Sequence, residues 1–566
     1  MKAKTASAFK YHLMAVFSIC LVCVAIYSNS LHSHFAYDDL TNISSNPYIR
    51  INDINLGDLY DAGFKSVLPK RPVSYISFAL NYYFGQFNVT GYHVFNIVVH
   101  LINGILVYLL ALIIFKQAYD IQRDQSKPFH IVSIQLPSLF AALVFITHPI
   151  QTQSVTYITQ RMNSMAVMFY LCALFLYIKG RRVQTRNMRG LFFFGCFVSW
   201  IMALGSKEIA ATLPIIVLLF EWYFFQDFRR EWLMKNLRYF LCVFILIGLL
   251  VLYFLGATPF DEILTRYSIR DFTPEQRVLT QPRVVVFYMS LLLYPHPSRL
   301  NLLHDISTST SLLVPITTIL SLLIIIGLIG LAIYLGKNHR LISFCILWFF
   351  INLAIESSVI GLMMIFEHRL YLPMFGVSLI VFHLLFNKIL KRTWIAVSIS
   401  LIIVLFLGAG TYLRNEVWQD SESLWTSVVS HNDRSHIGHN NLGLELARQG
   451  RINEAIGHYD KALKLKPNYA KAHNNIGISL SNIGDVSGAI DHYKEALRIN
   501  PDCVSAHNNW GIALALQGRL DEAIGHYLDA LSIRHDFAAA HYNLKRALLA
   551  RNQPGPQLGQ WWRVPK

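Results

Sequence analysis

Eleven mostly apolar stretches, each long enough or nearly long enough to cross a bilayer, fill most of the chain between residues 12 and 413. A membrane-spanning helix needs about 17 to 25 such residues. With no water in the hydrocarbon layer, a lone segment satisfies its backbone only as a helix. The segments are 12–27, 92–115, 130–148, 164–178, 190–206, 209–225, 237–256, 312–335, 341–357, 370–387 and 394–413. A further apolar run, 284–295, has only twelve residues and reads as re-entrant or interfacial. Composition agrees: 14% of residues are charged, against about 25% in a soluble domain. Aromatic residues reach 13%, suited to interfacial belts.

The net charge of +16 would otherwise suggest nucleic acid. The excess cations instead fall in short loops between apolar segments, around Lys116, Arg181 and Arg182, Arg229 and Arg230, Lys337 and Arg340, and Lys388. Such loops prefer the cytoplasm. With eleven spans all these groups share one side with Lys2, Lys4 and Lys10. The N-terminus is then cytoplasmic, and everything after residue 413 is extracytoplasmic. The first segment has no clear cleavage site and reads as an uncleaved anchor. Six of the seven cysteines lie in apolar segments, with no metal or disulfide spacing.

After residue 413 the chain turns polar and repeats itself. Asn441-Leu442-Gly443, Asn475-Ile476-Gly477 and Asn509-Trp510-Gly511 recur 34 residues apart, as do Tyr459, Tyr493 and Tyr527. Pro467 and Pro501 mark the turns. This resembles the tetratricopeptide repeat, a helix–turn–helix unit of that period. Three repeats and a capping helix are expected over 436–551, preceded by a connecting half-repeat over 414–435. The tail, 552–566, with Trp561 and Trp562, reads as a disordered end. Each first helix carries an Asn pair: Asn440 and Asn441, Asn474 and Asn475, Asn508 and Asn509. In repeat proteins that bind peptides such side chains clamp an extended backbone in the concave groove; the alternative is that they satisfy local groups.

The candidate chemistry lies on the outer face. Asp38 and Asp39 follow Tyr37 just beyond the first span. One carboxylate could act as a general base while its neighbour orients it or helps hold a divalent cation, although no third metal ligand is evident. Arg71, Lys207, Glu208, Glu367 and Arg369 stand at span ends on that face, with His148 and Arg161 bracketing a short loop. Lys207 and Glu208 could simply pair with each other. His93, Asn96, His100 and Asn103 form a stripe at helical spacing, which suits either a site or interhelical hydrogen bonding. Cations above a lipid-accessible bundle suit a lipid-linked phosphate.

Runs at 35–40, 71–81, 91–100, 145–161, 206–209 and 367–373, in that order and followed by the repeats, resemble the transmembrane and tetratricopeptide repeat-containing O-mannosyltransferases of the C-type membrane glycosyltransferase superfamily. The resemblance implies transfer of mannose, or another hexose, from a polyprenyl-phosphate donor to Ser or Thr of a protein, with inversion. It implies Asp38, the first acid of the motif, as base, with Arg369, Lys207 and Arg71 on the donor phosphate and His93 and Glu367 nearby. The chain departs from the family in a short repeat array and in His368 directly before Arg369, where Glu is expected. The short loops point to a bacterial inner membrane rather than the endoplasmic reticulum.

The expected fold is therefore all-α: a polytopic membrane bundle of about eleven helices over 1–413, then an α-solenoid. A non-catalytic scaffold that uses its repeats to assemble envelope proteins is the main rival, though eleven spans exceed what an anchor needs. A transporter would show internal duplication, which is not visible here.

Overall fold

The computed structural model describes residues 2–122, 132–256, 258–268, 270–390 and 392–552. The end of the chain from residue 553, including the two tryptophans, lies outside them. The chain forms two compact units, Met1–Asp420 and Ser421–Lys566.

Among the described residues, the regular structure of the first unit is all helical. Among the same residues, eight helices are long and apolar enough to cross a membrane. A bent pair, Ile134–Thr147 and Pro149–Val155, with 50° between its halves, is apolar enough to count as a ninth if it is one broken span. Two shorter apolar helices, Arg340–Leu353 and Met374–Asn387, bring the total to the eleven expected segments. The bend falls at His148, before Pro149, where the His148 Nδ1 accepts the Ile150 N–H at 3.2 Å. Proline lacks the N–H that would carry the helix through.

Helix Val89–Gln122 lies centrally and packs against Val132–Thr147 and Arg161–Arg182. Their shared core includes Tyr108, Phe145 and Tyr170. The N-terminal helix exposes Phe9, Leu13 and Phe17, and Leu237–Phe254 exposes Leu241, Phe244 and Leu249. Large apolar side chains on such faces suit lipid rather than water. Residues 284–293 of the run 284–295 prove to be the second half of a twenty-residue helix, Pro274–Leu293, opened by a Thr273–Gln276 capping box. Apolarity alone missed its polar first half, where buried Arg277 donates to the carbonyls of Glu356, Ser358 and Leu362.

The second unit is a solenoid of paired helices: His436–Arg448 with Ile452–Leu465, Ala470–Asn482 with Val486–Ile499, and Val504–Leu516 with Leu520–Ile533. Helix Ser421–His431 precedes the pairs and Ala538–Asn552 caps them. Each first helix ends at a glycine with positive φ, Gly450, Gly484 and Gly518, at 81°, 92° and 77°. Glycine takes this left-handed conformation without the steric cost a Cβ imposes. The helices of a pair approach closely because Gly443, Gly477 and Gly511 lie under the rings of Tyr459, Tyr493 and Tyr527.

Candidate active site

Just past the first span the backbone turns sharply. Tyr37 adopts φ of 48°, costly for a residue with a side chain. The turn sends two adjacent carboxylates in different directions. Asp39 goes inward and is 1% exposed. Its Oδ2 accepts the Ala36 N–H at 2.9 Å and its Oδ1 accepts the Thr159 N–H at 2.7 Å, with the Thr159 hydroxyl donating to the same oxygen. Asp39 thus fastens the 36–39 turn to the loop before helix Arg161–Arg182. Burial pushes its carboxyl up to about 7, against those hydrogen bonds.

Asp38 stays half-buried, and its side chain lines a cleft of about 230 Å³. Its N–H donates to the Tyr157 hydroxyl at 2.9 Å, and Tyr157 stacks on Trp418. Burial raises the Asp38 carboxyl above the ordinary carboxylate range, with Tyr157, Arg270 and Arg71 pulling the other way.

The rest of the cleft is charged. Arg71, Lys207, Arg270 and Arg369 face it, together with Glu208, Glu356, Gln160 and His368. Arg71 grips Glu208 in a two-pronged pair at 2.8 and 3.1 Å. Lys207 donates to Glu356 at 2.8 Å and to Asn163 at 3.0 Å. So Lys207 and Glu208 each take a partner from elsewhere rather than each other. Arg369 donates to the carbonyls of Met363 and Met364, with Glu356 at 3.9 Å from its Nε. Burial holds Lys207 below its ordinary value while Glu356 opposes the shift. His368 is pushed well below the usual imidazole range by burial and then by Lys207, Arg369 and Arg71, so it is neutral. Four cations against Asp38, Glu208 and Glu356 leave a surplus of one positive charge in the cleft.

Several expected site residues lie outside the cleft lining. Arg161, fully buried, is spent on Asn96, Asn81 and the carbonyls of Ser77 and Tyr92, and lies over the rings of Phe78 and Phe95. His93 meets the Ser33 carbonyl at 2.9 Å through Nε2. His148 meets the Leu292 carbonyl at 3.2 Å. Glu367 accepts the Asn301 N–H at 2.6 Å and pairs with His304 at 2.9 Å. The stripe below His93 is interhelical: His100 and Asn103 both reach the Tyr371 hydroxyl. A cation shared by Asp38 and Asp39 does not fit, because both Asp39 oxygens are taken and the cleft is lined by positive groups.

Sequence reasoning missed Glu356, Arg270, Tyr157 and Thr159. Glu356 left a signal, a lone acid in an apolar segment, which lipid tolerates only when it is partnered. Arg270 lies in a long polar connection and left none.

In the solenoid the Asn pairs form one continuous ladder. Asn440, Asn474 and Asn508 donate to Asn441, Asn475 and Asn509 at 3.3–3.4 Å. Asn475, Asn509 and Asn543 in turn donate to Asn440, Asn474 and Asn508 of the preceding repeat at 2.9–3.0 Å.

A many-spanned helical membrane protein that carries tetratricopeptide repeats and a charged cleft at the ends of its helices is the class these features define. Residues 443–484 match the family described as TPR repeat, and 474–541 match Tetratricopeptide repeat. Along most of its length the chain is similar to curated protein O-mannosyl-transferases. It is 26% identical to Tmtc3 of Drosophila melanogaster over 523 residues, covering 80% of this chain and 55% of the relative. It is 25% identical to a relative in Caenorhabditis elegans, covering 78% of this chain and 61% of the relative. It is 25% identical to human TMTC2, covering 79% of this chain and 62% of the relative. The chain therefore spans between 55% and 62% of these relatives' own length, and it resembles the transmembrane and tetratricopeptide repeat-containing O-mannosyltransferases.

Proposed function

We propose that the protein is a membrane glycosyltransferase that moves a hexose, mannose by its relatives' names, from a polyprenyl-phosphate donor to a Ser or Thr hydroxyl of an extracytoplasmic protein. One observation carries this reading: a half-buried carboxylate, Asp38, shares a small cleft with Glu208, Glu356 and four cations at the helix ends of a lipid-facing bundle.

In the proposed step the acceptor hydroxyl oxygen attacks the anomeric carbon and its proton passes to Asp38. The bond from that carbon to the phosphate oxygen breaks with its electron pair on the phosphate, and the carbon inverts. The phosphodiester donor carries one negative charge, equal to the surplus in the cleft. Arg71, Lys207 and Arg369 hold it by loosening their pairs with Glu208 and Glu356. Arg and Lys suit this work because charge-assisted hydrogen bonds to phosphate are strong. Positioning and electrostatics then supply most of the acceleration, and a held phosphate needs no general acid.

The cleft is lined only from connections and span ends that loop charge assigns to the outer face, while the cation-rich loops at 179–189, 229–238 and 337–340 lie at the opposite span ends. This supports a cytoplasmic N-terminus with the site on the periplasmic or lumenal side, a bacterial inner membrane being the setting the compact loops favour. The repeats would raise the local concentration of acceptor, with Asn441, Asn475 and Asn509 only half-buried within their ladder.

The test is transfer of label from radiolabelled polyprenyl-phosphate sugars to an extract of extracytoplasmic proteins by the purified chain. Labelled protein with the wild type and none with a folded Asp38→Asn supports the reading. No transfer from any donor, with growth and envelope assembly indifferent to that change, favours a scaffold instead.

A further inference from the structure

The solenoid contains a second regularity besides its Asn ladder. In every repeat a His from the first helix faces a His from the second, Nδ1 to Nδ1. The pairs are His439 with His458 at 3.0 Å, His473 with His492 at 3.1 Å and His507 with His526 at 3.3 Å. The tautomer of the first His is readable from its other nitrogen. His439 Nε2 meets the Asp433 carbonyl and His507 Nε2 meets the Pro501 carbonyl, both at 3.1 Å. A carbonyl only accepts, so Nε2 carries the hydrogen and Nδ1 offers a lone pair toward its partner. A metal-binding imidazole commonly has this arrangement, with its outer N–H tied to a backbone oxygen.

The third pair differs from the others in having a free-standing acid. Asp529 lies three residues after His526 on helix Leu520–Ile533, and its Oδ2 is 3.6 Å from the His507 Nδ1 and 3.7 Å from the His526 Nδ1. One repeat earlier the same position holds Glu495, which is consumed by Arg498 at 2.7–3.0 Å. One repeat before that it holds Lys461. In the third repeat the place of Arg498 is taken by Ser532, whose hydroxyl bonds the Asp529 main-chain carbonyl and leaves the carboxylate alone. Trp510 stacks on the His526 ring at 3.9 Å and fixes its plane.

We propose that His507, His526 and Asp529 bind a zinc-class divalent transition ion. With metal–ligand lengths of about 2.0–2.2 Å, ligand atoms at tetrahedral angles stand roughly 3.3–3.5 Å apart. The His–His separation already meets this, and the carboxylate needs to close by a few tenths of an ångström. His and carboxylate donors suit such an ion, and three protein ligands leave a fourth position open to water. The ion would clamp the first helix of the last repeat to the second, beside the capping helix. The first two pairs lack a third free ligand and are N–H···N hydrogen bonds.

The experiment uses the full chain in detergent, without a histidine tag and stripped of metal. Co2+ titration followed by its visible absorption reports coordination geometry, and equilibrium dialysis counts Zn2+. One saturable equivalent is expected, with a tetrahedral cobalt spectrum and a higher melting temperature for the repeats when Zn2+ is bound. Asp529→Asn, at a position 57% exposed, should weaken uptake by about tenfold or more. His526→Gln should abolish it and His439→Gln should leave it unchanged. Absence of saturable uptake, uptake indifferent to Asp529→Asn and His526→Gln, or uptake lost with His439→Gln would each overturn the proposal.

Discussion

The polar residues of the bundle and those of the solenoid follow opposite rules. In the solenoid a polar side chain meets a partner that recurs 34 residues later, as Asn475 on Asn440 is repeated by Asn509 on Asn474. In the bundle the cleft's partners come from far along the chain: Arg71 and Glu208 are 137 residues apart, Lys207 and Glu356 are 149. The contrast separates function from scaffold differently in each unit. In the solenoid the informative residue is the one that breaks the period, Asp529. In the bundle it is the one whose partners do not exhaust it, which sets Asp38 apart from Asp39 and Arg161.

The neighbouring acids give the largest expected effect. Asp38→Asn keeps shape and charge-neutral hydrogen bonding but removes the base. The proposed role predicts a fall in transfer of about 10²–10⁴-fold with an unchanged melting temperature. Asp39→Asn places an amide among the donors of Ala36 and Thr159, and the lost acceptor should cost about 1–3 kcal/mol of stability. Thermal unfolding run beside the transfer assay separates the two. If Asp39→Asn melts normally and Asp38→Asn does not, the division of roles drawn here is reversed.

The buried pair Lys207–Glu356 comes next. Its side chains are 5% and 4% exposed. Removing one partner from a buried ion pair strands the other and costs about 3–5 kcal/mol. Lys207→Met should therefore lower the melting temperature sharply. Lys207→Met combined with Glu356→Leu should recover only part of that loss, because Glu356 also faces the buried Arg369 at 3.9 Å. Transfer should stay low in the double variant, since Lys207 is proposed to hold phosphate. A double variant with both stability and transfer restored would reduce the pair to packing.

Acidity provides a third test. Burial raises the Asp38 carboxyl in the folded protein, so the base takes up its proton at a higher pH than a free carboxylate, whose value is about 3.9. Transfer efficiency should rise with pH through that raised value, level off above it, and fall about tenfold per pH unit below it. The midpoint should lie clearly above the ordinary carboxylate value. Whatever slow transfer remains in Asp38→Asn should show no such limb.

The two rules also explain what could be read in advance. The eleven apolar segments and the 34-residue period were legible because helix in lipid and helix pairs in a solenoid each impose a local pattern on the sequence. The membership of the cleft was legible in part: Asp38, Arg71, Lys207 and Arg369 are polar groups at the ends of apolar runs. Their pairings were not, since Arg71 with Glu208 and Lys207 with Glu356 depend on how distant helices pack. Arg161 shows the converse. A lone cation beside an outer loop suggests a site, yet three aromatic rings and four oxygens had closed around it, and none of these is local in sequence except through the fold.

The smallest expected effect tests the repeat rule itself, by making one substitution at two helical glycines. Gly457 has open space around it, with nothing within 4 Å of an added Cβ. There Gly457→Ala should stabilise by up to about 1 kcal/mol, the helix-propensity difference. At Gly477 an added Cβ would come within 2.5 Å of the Tyr493 ring, whose hydroxyl-bearing side chain is buried between the paired helices. The same propensity gain is then outweighed by overpacking, which costs about 1–3 kcal/mol. Gly477→Ala should therefore lower the unfolding midpoint while Gly457→Ala raises it, measured by denaturant titration of the full chain followed at the repeats. Tyr493→Phe in the Gly477→Ala background should not restore stability, because the clash is with ring carbons rather than the hydroxyl, whereas Tyr493→Leu should recover part of it. Equal effects at the two glycines would mean that the close approach of paired helices, and with it the 34-residue spacing of glycine under tyrosine, does not hold the solenoid together.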